Sequence, residues 1–444
     1  MSSEIEYFED RLALAFSDRY ADGLKYVGSL RRWFVWNGQR WQADDSGAAI
    51  ERCRSLCRET AERCGDMRAA EKLGRARTIE AVERLARSDR RHAVAVSALD
   101  ADPWAYNTPA GTVDLRTGEM RPHRSDDLIT KLAGASPEGQ CPNWSAFLQT
   151  ITGGDREFED YLQRVVGYGL TGRTDEHVFF FLHGAGANGK SVFCNVINAV
   201  LGDYACTAAM DTFLSSASDR HPTELAALRG ARLVTAIETE RGRRWAEAKI
   251  KSITGGDRVA ARYMRQDFFE YTPQFKLVMA GNDLPGLQQA DEAIRRRLHV
   301  IPFSVTIPLD ERDKGLTDRL LEERNGILAW AIDGCRQWQK EGLRPPAAVR
   351  DATRAYFDAA DPIGRWIADA CVVGAEYSSP LADLHKSYER YSRDHGEKPL
   401  SKRALSDALI RRGFSKRRTA DERLIEGIAP QMRESLSNIV VNGE

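Results

Sequence analysis

Four short apolar runs mark the middle of this chain: 177–182 (HVFFFL), 232–237 (RLVTAI), 275–280 (FKLVMA) and 298–303 (LHVIPF). Their length and β-rich composition predict strands. Between the first two, 191–201 (SVFCNVINAVL) carries apolar residues at helical spacing and stops at Gly202, which predicts a helix with a glycine end. Upstream, 33–41 (WFVWNGQRW) sets Asn37-Gly38 between aromatic runs and predicts a hairpin with a type I′ turn. Its tryptophans either pack a small sheet or stack bases, and cross-strand packing is the commoner use. Residues 48–96 read as Arg- and Glu-rich helices with a solvated face. Residues 99–127 read as strands and turns, punctuated at Pro109-Ala110-Gly111 and Thr117-Gly118. Residues 143–171 read as two helices broken at Gly153-Gly154.

The pattern predicts an α/β fold in four parts. These are a mixed α+β region over 1–140, a central α/β core over 141–308, a helical region over 309–370 broken at Pro345-Pro346, and a small basic domain over 371–444. A length of 444 residues exceeds one compact core, which agrees with several domains. In the last part, two helical runs (PLADLHKSYERYSRDHG and SKRALSDALIRRGF) precede a basic wing-like stretch, which predicts a winged-helix fold.

No segment is apolar for the length of a membrane span, and the acidic N-terminus does not read as a signal peptide, so a cytoplasmic protein is expected. Eight cysteines without a Cys-x-x-Cys pair predict reduced thiols and no zinc site. Asp100 and Asp102 are spaced like a metal pair, but Pro103 follows and no further carboxylate cluster accompanies them. The net charge of -1 hides basic stretches at 241–265, 295–297 and 402–418, so any affinity for nucleic acid must be local.

The richest chemistry lies at 184–191, Gly-Ala-Gly-Ala-Asn-Gly-Lys-Ser, between a predicted strand and a predicted helix. A glycine-rich turn at a helix start aims backbone N–H groups at one point. Lys190 adds a cation for β/γ-phosphates and the Ser191 hydroxyl suits Mg²⁺. Gly184, Gly186, Asn188, Gly189, Lys190 and Ser191 are therefore expected to hold ATP. The run 232–237 ends at Glu238-Thr239-Glu240, where an ATPase needs an acid for Mg²⁺ and the attacking water. The run 275–280 ends at Gly281-Asn282-Asp283. Asn282 would orient that water if its strand neighbours the loop strand; the alternative is an ordinary Asn-Asp turn. Arg295, Arg296 and Arg297 precede the fourth run, and one of them at a subunit rim would reach a neighbour's nucleotide.

In this order the motifs GAGANGKS, AALRGARLVTAIETE, KIKSITGGDRVAARYMRQDFFEYTPQFKLVMAGNDLP and DEAIRRRLHVIPF resemble superfamily 3 helicases, specifically the phage and plasmid primase-helicase type within the AAA+ P-loop ATPases. The resemblance implies Lys190 and Ser191 as the Walker A pair, Glu238 as the catalytic acid supported by Glu240, and Asn282 as the sensor. It also implies Arg297 as the arginine finger, with Arg296 second and Arg295 third, and Ser191 with Glu238 at the metal. It further implies a hairpin, read here as an alternating strand over 258–265 with a return over 267–272, whose Arg262 and Arg265 grip single-stranded DNA together with Lys251. Lys402, Arg403 and Arg417 are expected to meet DNA from the last domain, unless that basic helix is merely solvated.

The function so implied is an ATP-dependent replicative DNA helicase of a phage, plasmid or mobile element. It would act as a homo-hexameric ring on single-stranded or forked DNA with 3′ to 5′ polarity. No primase motif precedes the helicase region, so primer synthesis, if it is needed, would come from a separate primase or polymerase. The alternatives are a DNA-stimulated ATPase acting as duplex translocase, loader or defence factor without unwinding, and an origin-binding scaffold.

Overall fold

The computed structural model describes residues 8–215, 223–237, 242–265, 267–287, 292–418 and 423–431. They form two compact units, one of Met1–Pro285 with Arg296–Arg350 and one of Gly286–Arg295 with Asp351–Glu444.

The first unit opens with helix Glu9–Tyr20 and an antiparallel sheet of β1 (Leu24–Val27), β2 (Arg32–Trp36) and β3 (Trp41–Ala43). Phe16, Leu24 and Trp33 pack with Cys53 and Val82 from the helices that follow, so those helices are solvated on one face only. Trp33 and Trp41 are 7% and 1% exposed, which makes them core residues. The β2–β3 turn differs from expectation. Gly38 takes φ +95° but Asn37 is not left-handed, so type I′ does not form at Asn37-Gly38. Instead the Asn37 side chain accepts from the N–H groups of Gln39 and Arg40, at 3.0 and 2.9 Å.

A second antiparallel sheet contains β4 (Ala105–Thr108), β5 (Gly111–Asp114) and β6 (Met120–Arg121). Beside it, the Asp100 carboxylate takes the N–H and hydroxyl of Thr130, at 2.7 and 2.5 Å, and so serves the fold.

The centre of the unit is a parallel sheet of β7 (Phe179–His183), β8 (Ala205–Thr207) and β9 (Leu233–Ile237), with two later strands. A short hairpin, β10 (Val259–Ala261) and β11 (Phe269–Tyr271), precedes them. The later strands are β12 (Lys276–Gly281) and β13 (Leu298–Pro302), and the sheet order is β13-β7-β12-β9-β8. Parallel strands covered on both faces read as unbroken apolar runs. Phe180 and Leu182 face helices Arg156–Leu170, Lys190–Leu201 and Arg324–Glu341, whereas Phe179 and Phe181 pack edge-on against Trp245. Helices Arg156–Leu170 and Arg324–Glu341 touch through glycines. A Cβ on Gly167 would overlap the backbone at Gly334 and Cys335, and one on Gly334 would overlap that of Gln163.

Two cations are buried at the N-terminal edge of this sheet. Arg232 donates to the carbonyls of Leu170 (2.8 Å), Ala105 (2.7 Å) and Asp102 (3.1 Å), and its guanidinium lies 4.7 Å over the Tyr204 ring. Lys276 donates to the carbonyls of Thr171 and Arg173 and lies 4.9 Å over Tyr168. Burial, and then the nearby Arg232, hold the Lys276 ammonium well below its usual pKa. The carbonyls of Leu170 and Thr171 end helix Arg156–Leu170, where positive charge is favoured. The pair thus fastens the helix to β9 and β12.

In the second unit, helices Pro362–Ala370, Leu381–Asp394 and Lys402–Arg411 surround a core of Trp366, Leu384, Leu405, Leu409, Ile425 and Ile428. Against them lies an antiparallel sheet of β14 (Cys371–Pro380), β15 (Ser415–Arg418) and β16 (Arg423–Pro430), in the order β14-β16-β15.

Candidate functional site

At the C-terminal ends of β7 and β12 opens a cavity of about 910 Å³. Its floor is the loop 186–191, and Ile237, Gly281, Asn282 and Asp211 line its sides. The loop's shape follows from its residues. Gly184 has no room for a Cβ, because Asn188 and the Phe303 carbonyl crowd it. Gly186 and Gly189 take φ +99° and +83°, a region that suits glycine, and Ala187 is held at +50°. The Asn188 side chain is buried and turned inward. Its Nδ2 donates to Phe303 at 3.0 Å, and Ile307 N–H donates to Ala187 at 2.8 Å, so the chain after β13 fixes the loop. Backbone donors at the start of helix Lys190–Leu201 are thereby presented to the cavity, a chemistry suited to phosphate.

Lys190 lies beneath this cradle. Its Nζ donates to the Gly184 carbonyl (2.6 Å), to Asn188 Oδ1 (3.0 Å) and to Asn282 Oδ1 (3.4 Å). Desolvation lowers its pKa. The contact with Asn282 follows from strand order. β12 pairs in parallel with β7, with Gly281 opposite His183, so the residue after one strand meets the loop after the other. The neighbour relation that the sequence left as a condition is met. His183, at the end of β7, is shifted below the usual histidine range, chiefly by burial.

β12 also pairs with β9, whose last residue, Ile237, reaches the cavity. Glu238 and Glu240 come next in the chain and lie outside the described residues. The exposed Ser191 sits at the first turn of its helix on the cavity wall. Sequence reasoning passed over Asp211, which lines the cavity and pairs with Arg243 at 2.9 Å. It stands in a single 3₁₀ turn, Met210–Phe213, with no motif around it to draw notice.

The three arginines are divided. Arg295 packs 5.1 Å over the Phe357 ring in the second unit. Arg296 is exposed and Arg297 half-buried, both just before β13. Because β13 runs parallel to β7, with Leu298 opposite Phe179, Arg297 lies at the sheet edge opposite the phosphate loop. Five residues of strand separate the edges, roughly 16 Å at about 3.3 Å per residue. No arginine side chain spans that gap.

The basic hairpin is shorter than expected. The predicted strand over 258–265 narrows to Val259–Ala261, paired with Phe269–Tyr271. Arg265 has φ +59°, which ends extended backbone, and the Arg262 guanidinium folds 4.9 Å over Phe268. Met264 and Phe268 are exposed at the tip. Tyr263 and Tyr271 anchor the base by donating to the Ala226 and Leu225 carbonyls. Lys251 stands on helix Glu247–Thr254 instead. In the second unit Lys402 and Arg403 begin helix Lys402–Arg411, and Arg417 on β15 pairs with Glu426 at 3.6 Å.

Fold and loop together define an α/β protein with a P-loop-like core. Residues 13–153 match the family described as D5 N terminal like, and residues 182–297 match a family of unknown function, DUF5906. The chain is 28% identical over 302 residues to "Putative helicase L207/L206" of Acanthamoeba polyphaga mimivirus, covering 62% of this chain and 31% of that protein. It is 31% identical over 225 residues to "Putative helicase 022R" of Frog virus 3 (isolate Goorha), covering 46% and 23%. The chain thus spans about a quarter to a third of the length of the curated relatives it matches. Among solved structures, the apo structure of the NrS-1 C terminal region shares the fold. The TM-score is 0.57 at 10% identity, over 95% of this chain and 100% of that one. Among the described residues no helix is long and apolar enough to cross a membrane.

Proposed function

We propose that the chain is the motor of a replicative DNA helicase of a virus, phage or plasmid, of the superfamily 3 type within the AAA+ ATPases. The observation that carries this reading is the meeting of Lys190 and Asn282 under a backbone cradle. The strand order supports it, since β12 stands between the loop strand and the strand that leads to Glu238. Names of the viral relatives support it independently.

In this reading Lys190 neutralises β/γ-phosphate charge of ATP, Asn282 orients the attacking water, and Glu238, supported by Glu240, accepts its proton. Ser191 and Glu238 would hold Mg²⁺, which supplies further charge neutralisation at the phosphates. Arg297, or Arg296 beside it, completes the site of an adjoining subunit, and the hairpin's Arg262 and Arg265, with Lys251, meet the backbone of a single strand. The working form is a hexameric ring moving 3′ to 5′. The part of the second unit from Pro362 to Pro430, where helices Pro362–Ala370, Leu381–Asp394 and Lys402–Arg411 accompany the sheet of β14, β15 and β16, is read as a winged helix.

The test is ATP-dependent unwinding of 3′-tailed and 5′-tailed forks by the wild type and by Glu238→Gln. Unwinding of the 3′-tailed fork that vanishes in Glu238→Gln is the expected result. DNA-stimulated hydrolysis with neither fork unwound would replace this reading with that of a loader or duplex translocase.

A further inference from the structure

The second unit has a cavity of its own, of about 820 Å³. Lys402 and Arg403 line it from the first turn of helix Lys402–Arg411, Ser406 from one turn further on, Lys416 from β15 and Arg423 from β16. Among the described residues its one acidic lining residue is Asp407. Elsewhere in this unit several arginines are matched, although Arg390, Arg411 and Arg418 have no ion pair among the described residues. Arg365 pairs with Glu397, Arg412 with Asp361, Arg393 with Glu389 and Arg417 with Glu426. The four cations of the cavity have no ion-pair partner among the described residues. Four like charges on one wall against the single described carboxylate of Asp407 repel on balance, so the arrangement favours an anion from outside.

A second observation points to the same place. Ser406 is 3% exposed, and its Oγ has no hydrogen-bond partner although it lines this cavity. Buried hydroxyls are almost always bonded, and this one, on a residue that lines the cavity, has no partner among the described residues. The helix start adds its positive dipole end, with Ser401 capping Ala404 N–H at 3.3 Å.

We propose that this cavity binds backbone phosphates of double-stranded DNA, without reading sequence. For the choice of DNA as ligand, the proposal rests on the motor reading above. The chemistry narrows it further. Among the described residues the wall has no aromatic ring on which an unpaired base would stack and no Asn or Gln to read a base edge. Cations from a helix start and an adjoining β-hairpin suit a duplex backbone. The contact set also changes from the one expected of the sequence, because Arg423 joins the wall, whereas Arg417 does not line it.

The experiment uses the full chain without nucleotide and a labelled blunt duplex, read by fluorescence anisotropy between about 50 and 200 mM salt. Lys416→Ala combined with Arg423→Ala should weaken binding about tenfold or more and flatten the log K against log salt slope by about two, since each phosphate contact contributes about 0.9. Ser406→Ala should weaken it a few-fold at unchanged slope, and Arg393→Ala should change neither. Unaltered affinity and slope in the double variant would overturn the proposal. So would Lys416- and Arg423-dependent binding that favours a single strand of equal length. Inorganic phosphate and AMP serve as competitors. Saturable binding of either to the wild type, lost in the double variant while duplex affinity stays, would assign the cavity to a free phosphate ligand instead. Lys190→Ala should keep full duplex affinity. Cation-dependent duplex binding by a chain that hydrolyses no ATP would sink the motor reading and leave this one standing.

Discussion

Lys190 keeps its ammonium group within reach of three oxygens supplied by the loop and by β12, so its charge is held in place before any phosphate arrives. That position was legible from eight residues, because a phosphate loop needs glycine where the backbone turns and a cation at the helix start. His299 was not legible. On β13 it looks like one polar residue in an apolar run, yet its Nδ1 meets the Tyr161 hydroxyl at 2.7 Å, and burial pushes its pKa down to about 4. The sign of the consequence is definite. Between pH 6.5 and about 4 the unfolded chain binds a proton at this site and the folded chain does not, so stability falls with pH across that window. The loss is on the order of 3 kcal/mol at the lower end. Urea midpoints measured from pH 7 to pH 4 should fall for the wild type, and His299→Gln should flatten that slope. Equal slopes in the two proteins would show that His299 is not the group responsible.

Among the elements, the parallel strands were the most legible, since burial on both faces leaves unbroken apolar runs such as FFFL and LVMA. Turns and tips were less so. The Asn37-Gly38 pair announces a hairpin, but the local competition of the Asn37 side chain for backbone donors selects the turn, and pattern alone does not resolve that. The basic hairpin is short, with Arg265 in a left-handed conformation and the Arg262 guanidinium over Phe268 beyond its strands. Least legible was the crossing of helices Arg156–Leu170 and Arg324–Glu341. A glycine inside a helix reads as a weak point, yet Gly167 and Gly334 are what let the two backbones approach. Gly334→Ala should therefore destabilise the first unit by at least about 2 kcal/mol despite the better helix propensity of alanine. Thermal unfolding followed by circular dichroism checks this, and an unchanged or raised midpoint would mean that the helices separate freely.

At the scale of the whole molecule, the sequence showed four stretches, and in the structure residues of the first three share a core. Tyr106 from β4, Val166, Phe180 and Ile332 all belong to one buried cluster, so the strand-and-turn element and the helix after the sheet are packed with the ATPase sheet. Arg232 and Lys276 fasten the same junction through carbonyls that lie from 62 to 130 residues away for Arg232 and about a hundred for Lys276. Such pairings leave no local trace.

Arg297 sits at the far edge of the sheet from the loop that would hold ATP. If that arginine serves catalysis, one chain on its own is half of two different active sites and the whole of none. The rate per chain is then not a constant of the protein. ATP turnover measured on a dilution series should fall faster than in proportion to protein, with an apparent order above one that returns to one when the assembly is cross-linked. Strict proportionality down to the lowest concentration at which the chain is monomeric would leave Arg297 a purely structural charge.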